Sequence, residues 1–544
     1  MPKPAPRAAF LKPTAALTAT LPLDGPGGHA LEYFRVRTAP AFTGCLASDI
    51  WDSLVLQLGQ RHPSILFAST AIGSLYHYRE LLHEGPSSAT VAKTSHDLAV
   101  TNYSKAVSGL RSYLEAHQSS ADAETTYVVL TACLLFICFE MMEGNQALVM
   151  SHLAKGLGIL RSRYIAPTRL ASAKGPVILG TDFPGTMDNL AEVFVRLDID
   201  ATLFGRRTTY LSTTCQCCCR GTEIGMPDAF QSVRDAKAHL DLLTNATFTL
   251  RGKLLDMAEE HLAMREDVHA GGLPQELTDR AKYQCKMYAV TKKIDLYANP
   301  ERRNMLDQQR QILGAFEKWS KGVENIQDAN NTVLTMLKIQ HFFPFFILST
   351  LQDDSETACD RFHDHFRRIL DLGQKHAKQT TKVGISCNFS LESGVLASLY
   401  IIALKCRQTS IRREAIELLR SFPTQEGIWS GRIFACYLSK VVEMEESLAR
   451  ELRPHNLPGM DLTYASVPEQ ARFGNVLLAT DEKDAAIGRV VCARSEPGPN
   501  GRIKIVDGHF SLRTEHQPVA ADMVIDRTAV QSCDTSSGSL GMDR

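Results

Sequence analysis

The sequence predicts an all-α fold of stacked antiparallel helical hairpins, an α-solenoid-like body, with a small β-prone segment near the carboxy terminus. Three observations predict it. Apolar residues recur at three- and four-residue spacing through most of the chain, the phase that puts side chains on one face of a helix. The links between such segments are short and polar, as at Glu143-Gly144-Asn145, which makes consecutive helices antiparallel neighbours. Short β-prone runs occur together only after Pro454.

Residues 1–30, rich in Pro, Ala and Gly and closed by Gly25-Pro26-Gly27-Gly28, read as a disordered leader. The helical body is expected over residues 31–454. It opens with Trp51, Leu54, Val55 and Leu58 on one face, and Pro63 suits the first turn of the next helix. Helical segments follow at Leu98–Leu114, Asp122–Met142 and Asn145–Leu160, then at Asp188–Phe204, Asp228–Leu243 and Thr278–Tyr297. Further segments are predicted at Asn331–Leu351, Asp360–Leu370, Leu391–Lys405, Ser410–Ser421 and Glu426–Glu446. Residues 163–187, with Pro, Gly and Ser, read as a linker or surface loop. No strict repeat period joins these segments. Residues 455–512 form the β-rich segment, with runs at Phe473–Leu478, Ile487–Ala493 and Arg502–Val506 between turn sequences. Residues 513–544 are mostly polar and read as a disordered tail.

With 544 residues the chain is long enough for roughly three or four average domains and a sizeable core. Its 59 Lys+Arg and 60 Asp+Glu leave a formal net charge of -1, so no global basic field exists to hold a polyanion. Many of the 14 cysteines stand in apolar runs, as do Cys133 and Cys138, and read as small buried hydrophobes of a reducing compartment. The apolar stretch around Leu130 is stopped by Glu140 and Glu143, short of the ~18 to 20 residues of a membrane span, and reads as a core helix. No membrane partner is expected.

Several local sequences are chemically distinctive. Cys215-Gln216-Cys217-Cys218-Cys219 offers thiolate ligands, but adjacent cysteines rarely converge on one tetrahedral centre, so an oxidisable surface loop is the stronger reading. His363-Asp364-His365 carries two imidazoles two residues apart; on a helix they diverge, so a solvated face is expected and a metal site is not. Gly156-Leu157-Gly158 lacks the strand and third glycine of a dinucleotide loop and reads as a close helix contact. Arg412, Arg413, Glu414, Glu417 and Arg420 read as a solvated face with i,i+3 and i,i+4 pairs. No phosphate loop or nucleophile elbow is present. No catalytic residue, metal ligand or cofactor is assigned, and the chain reads as a non-enzyme.

Three blocks taken together resemble the middle homology region of fungal zinc-cluster (Zn2Cys6) transcription regulators. The first runs from Leu31-Glu-Tyr-Phe-Arg-Val-Arg-Thr-Ala-Pro40 through Trp51, His62-Pro63-Ser64-Ile65 and Ala71-Ile-Gly-Ser-Leu75. The second is Leu134-Leu-Phe-Ile-Cys-Phe-Glu140 with His152-Leu153-Ala154-Lys155-Gly156-Leu157. The third is Leu399-Tyr400, Lys405-Cys406-Arg407, Ile411-Arg412-Arg413-Glu414-Ala415 and Glu426-Gly427-Ile428-Trp429, followed by Val467-Pro468-Glu469 and Arg472. The resemblance implies a nuclear protein controlling transcription, often of metabolic genes. It also implies protein partners or a homodimer and room for a small-molecule effector. A binuclear zinc cluster needs six closely spaced cysteines, and residues 1–44 contain none. DNA contact is therefore expected to be indirect or through a partner. The alternatives are a truncated gene model whose cluster lies upstream, or an accessory protein or enzyme built on the same scaffold.

Overall fold

The computed structural model describes residues 25–43, 50–84, 88–117, 123–164, 177–180, 186–203, 211–214, 219–220, 223–263, 283, 287–288, 290–291, 294, 300–326, 332–353, 355–382, 389–391, 394–422, 425–427, 429–453, 461–480, 487–495 and 503–512. The fold is mainly α-helical, with a few short strands.

In the amino-terminal part, α1 (Pro26–Tyr33) and α2 (Ala39–Thr43) are joined by a π-helical turn, and α3 spans Val55–Arg61. Then come α4 (Pro63–Glu84), α5 (Ala89–Ala116), α6 (Ala123–Glu143), α7 (Gln146–Tyr164) and α8 (Thr186–Leu203). The expected leader is corrected at its end: Pro26 occupies the first turn of α1, where its missing N–H costs nothing, and Ala30 and Leu31 are buried. Residues 1–24 lie outside the described part. Gly73 lets α4 approach α1, since a Cβ there would stand 2.2 Å from the Ala30 carbonyl oxygen.

The hairpins are antiparallel, as the short links require. Between α4 and α5, Tyr78 meets His96 and Lys105 sits over Phe67, so residue numbers rise on one helix as they fall on the other. Phe136 of α6 meets His152 of α7 across Gly144, whose φ of 83° suits the reversal. α6 is apolar all round and is the middle of the first core, with Val128, Leu130, Leu134, Leu135 and Ile137 buried. By length and composition α6 and the later helix Thr332–Ser349 could cross a membrane, yet both are largely buried within the protein.

The linker region contributes β1 (Val177–Gly180), parallel to β2 (Leu211–Thr214), and β3 (Cys219–Arg220) pairs with β4 (Glu223–Ile224). A second core joins α9 (Val233–Ala263), α10 (Pro300–Glu324) and α11 (Thr332–Ser349). Trp319 donates its indole N–H to the Ala236 carbonyl at 2.8 Å, and Ser320 lies 3.2 Å from His341. The predicted helix Asp228–Leu243 starts later and runs far longer, and α10 was not predicted. Thr278–Tyr297 falls largely outside the described residues.

The third core is built from a 3-10 turn (Glu356–Phe362), one side of α11 with Ile339, Phe342, Phe343 and Phe346, and α12 (His363–Lys382), α13 (Leu396–Lys405), α14 (Thr409–Ser421) and α15 (Gly431–Leu452). Before α13 and α15 the chain is not helical as expected. Instead β5 (Phe389–Ser390), β6 (Gln425–Glu426) and β7 (Trp429–Ser430) form a small sheet in the order 5-6-7. The carboxy-terminal strands β8 (Asn475–Thr480), β9 (Ile487–Ser495) and β10 (Ile503–Ser511) form the anticipated antiparallel sheet, with β9 central. Val476, Leu478, Val490 and Cys492 belong to the same core as α13–α15, so this sheet covers the helices and has no core of its own. Residues 513–544 lie outside the described part.

Candidate functional site: a buried charge network

The third core encloses a set of charges, one of which, Arg412, the sequence reading placed on a solvated face. α14 carries Arg412 in phase with Ala415, Ile416 and Leu419, the residues it turns inward. Arg412 is therefore corrected from a solvated residue to one whose side chain is 1% exposed. Its guanidinium donates to the Ala403 carbonyl at 2.9 Å and to Glu445 Oε2 at 2.6 Å. From the extended link between α13 and α14, Arg407 donates to Glu445 Oε1 at 2.9 Å and to the Lys405 carbonyl at 2.6 Å. Glu445, on α15, also accepts from the Phe473 amide at 2.8 Å, so both of its oxygens are engaged.

The network extends on both sides. Lys405 donates to Glu356 Oε2 at 2.8 Å and to the Gly474 carbonyl at 2.9 Å. Arg472 makes a two-pronged pair with Asp360 at 2.7 and 2.9 Å and also donates to the Tyr464 and Val467 carbonyls. Glu469 closes the start of the 3-10 turn, accepting from the Glu356 and Thr357 amides at 2.9 Å each. In this way α13, α14, α15, the 3-10 turn and the approach to β8 share one polar cluster.

The electrostatics follow from burial against pairing. Burial alone would raise the Glu445 carboxyl, but the guanidiniums of Arg407 and Arg412 outweigh it and hold the group below the usual carboxylate range. Burial likewise opposes the charge on Arg407, and Glu445 and Glu356 overcome it, so the guanidinium stays charged. The Tyr288 phenol is pushed well up, by burial first and then by Glu356, to which it donates at 3.3 Å. Every acid here accepts from cations or amides. The arrangement fixes the packing geometry of the helices that meet there.

A second polar cluster closes the first core. Tyr103 donates to Glu140 at 2.5 Å while its ring stacks on Phe139. Burial raises the Glu140 carboxyl, and the Tyr103 hydroxyl pulls against that rise. The Cys133 thiol is pushed up to about 11 by burial and Cys138 further still, the behaviour of inert core thiols.

The other sequence-marked residues do not converge on these clusters. Cys215, Cys217 and Cys218 lie outside the described residues, and Cys219 is placed only as backbone in β3. At the start of α12, His363 packs on Tyr464 and His365 near Phe342 and Phe362, so the two rings diverge. Among the described residues no group of three or more His, Cys, Asp or Glu could hold a metal ion. Gly156 is a close helix contact, since a Cβ there would lie 2.2 Å from the Phe194 ring. Along α12 an open depression of about 400 Å³ is lined by Asp364, Arg367, Arg368, Asp371, Leu372 and Lys375. Its Arg367 is already held by Glu414 at 2.8 and 2.9 Å.

Residues 29–220 match the family described as fungal specific transcription factor domain. This segment contains the first and second blocks and all of the first core except Phe389 and Leu391, and it ends before the charge network and the third block. An aspercryptin biosynthesis cluster-specific transcription regulator of Emericella nidulans is 28% identical over 142 residues, 26% of this chain and 21% of that protein. A transcription regulator of Purpureocillium lilacinum, lscL, is 30% identical over 140 residues, 25% of this chain and 32% of that protein. The chain thus spans about a fifth and a third of the lengths of these curated relatives. No solved structure is detectably similar to the chain. Over residues 29–220 the chain is thus similar to a fungal specific transcription factor domain, and the relatives it matches are named as transcription regulators.

Proposed function

We propose that the chain acts in the nucleus as a non-enzymatic regulator of transcription, controlling metabolic genes through protein partners or a second copy of itself. The observation that carries this reading is the family match over residues 29–220. The first relative's name ties it to one biosynthetic gene cluster, which supports a metabolic target. DNA is reached indirectly or through a partner. In support, the net charge is -1, and the arginine-rich stretch from Arg407 to Arg420 is used internally. Arg407 and Arg412 are buried on Glu445, Arg413 faces Asp461, and Arg420 pairs with Glu417. A small-molecule effector would act by shifting the population of two packings of the helical body. The test is a tethered reporter: the full chain fused to an unrelated DNA-binding module. Several-fold activation or repression over the module alone supports the proposal, and an unchanged reporter with a stably expressed nuclear fusion contradicts it.

A further inference from the structure

The small sheet β5–β6–β7 stands between the first and third cores and touches both. Phe389 of β5 is counted in the first core, where it packs edge-on against Phe42 with ring centres 5.2 Å apart. Trp429 of β7 belongs to the third core, against Tyr400 and Phe434. Between them β6 holds two adjacent buried polar residues, Gln425 and Glu426, with opposite tasks.

Gln425 serves the carboxy-terminal end of α6. Its amide nitrogen donates to the Met141 carbonyl at 2.8 Å, and its amide oxygen accepts from Arg79 at 2.8 Å. Arg79 in turn donates to the Met142 carbonyl at 2.9 Å. The last carbonyls of a helix have no partner within it, so α6 takes its caps from α4 and from a residue 284 positions later. Glu426 serves the amino-terminal end of α13. Its carboxylate accepts from the Gly394, Val395 and Leu396 amides at 2.8, 2.9 and 3.0 Å. Gly394 leaves the room for that approach, since a Cβ there would lie 2.7 Å from Glu426 Oε1. Gly427, at φ 56°, then turns the chain towards β7, with its amide held on the Ser390 carbonyl at 2.7 Å.

We propose that Gln425-Glu426 is a double cap that couples the first core to the third, one residue closing α6 and the next closing α13. The two residues share one peptide bond, so a displacement of either helix end strains both sets of caps. A ligand or partner that shifts one core thereby shifts the other, whichever process the chain serves. The coupling reaches from the family-matched segment, which contains α6, into the part of the chain beyond it.

The test is hydrogen exchange followed by mass spectrometry on the full chain. Gln425→Ala damages the α6 side and Glu426→Gln the α13 side, while Glu417→Ala, on an exposed pair with Arg420, is the control. Each cap variant should speed exchange on both sides, at Gly144 and Asn145 and at residues 394–399, by about ten-fold, the scale of local opening. The control should do neither. Changes confined to the mutated side in both variants would overturn the coupling. Should Gln425→Ala lose its fold, Arg79→Lys is read in the same way: faster exchange at residues 394–399 supports the coupling and unchanged exchange there overturns it.

Discussion

At the scale of single residues, the informative side chains are buried charges. Glu445 compensates two guanidiniums, so Glu445→Ala leaves both without their acid and should cost about 3–5 kcal/mol, read by chemical denaturation. The pH sign follows from its lowered carboxyl. A group held below its unfolded value of about 4.3 stabilises the fold at higher pH, and that contribution is lost as pH falls from about 4.3 through the folded value. Acid titration of the wild type should show this loss, and Glu445→Ala should lack it. His341, stacked on Trp319, is pushed down to about 4, first by burial. Its neutral form favours the fold, so stability should fall as pH drops from about 6.5 towards 4, and His341→Phe should flatten that slope. Arg412 was read as solvated because its charged neighbours Arg413, Glu414 and Glu417 dominate the local sequence, although residues 412, 415, 416 and 419 share a buried helix face. Its acid was not legible: Glu445 lies 33 positions away on another helix, and only the tertiary fold brings them together.

At the scale of elements, long periodic helices were readable and short pairings were not. The predicted Asp122–Met142 and Asn145–Leu160 correspond closely to α6 and α7, where a long, nearly continuous apolar run ends at Glu143-Gly144. α10 escaped notice because its apolar stripe, with Met305, Ile312, Phe316 and Trp319, is narrow in a mostly charged and polar sequence. The two-residue strands of the small sheet have no period to detect, since each exists only through its partners. The glycine at 156 was legible as a close contact, though its partner Phe194 was not. Gly156→Ala drives a Cβ into that ring and should lower stability by about 1–3 kcal/mol in thermal melts. Phe194→Leu in the same chain should recover part of the loss, as touching residues do in a double-mutant cycle.

At the scale of the whole molecule, the resemblance carried by the first two blocks coincides with the family match, and the third block turned out to mark the double cap and the charge network. The function of those later residues was not visible in composition or spacing, because it consists of contacts between helices far apart in the chain. The internal use of the Arg407–Arg420 stretch predicts a weak polyanion response. The purified chain should show at most salt-sensitive, sequence-independent retention of DNA in a mobility assay, and a tight site-specific complex would contradict the partner-mediated reading. The most direct measurement of the central claim is the transcript profile of the source organism with and without the gene. A regulator predicts a coherent set of metabolic genes changing together by several-fold, restored when the chain is supplied again. An unaltered profile under conditions where the protein is present would contradict the account.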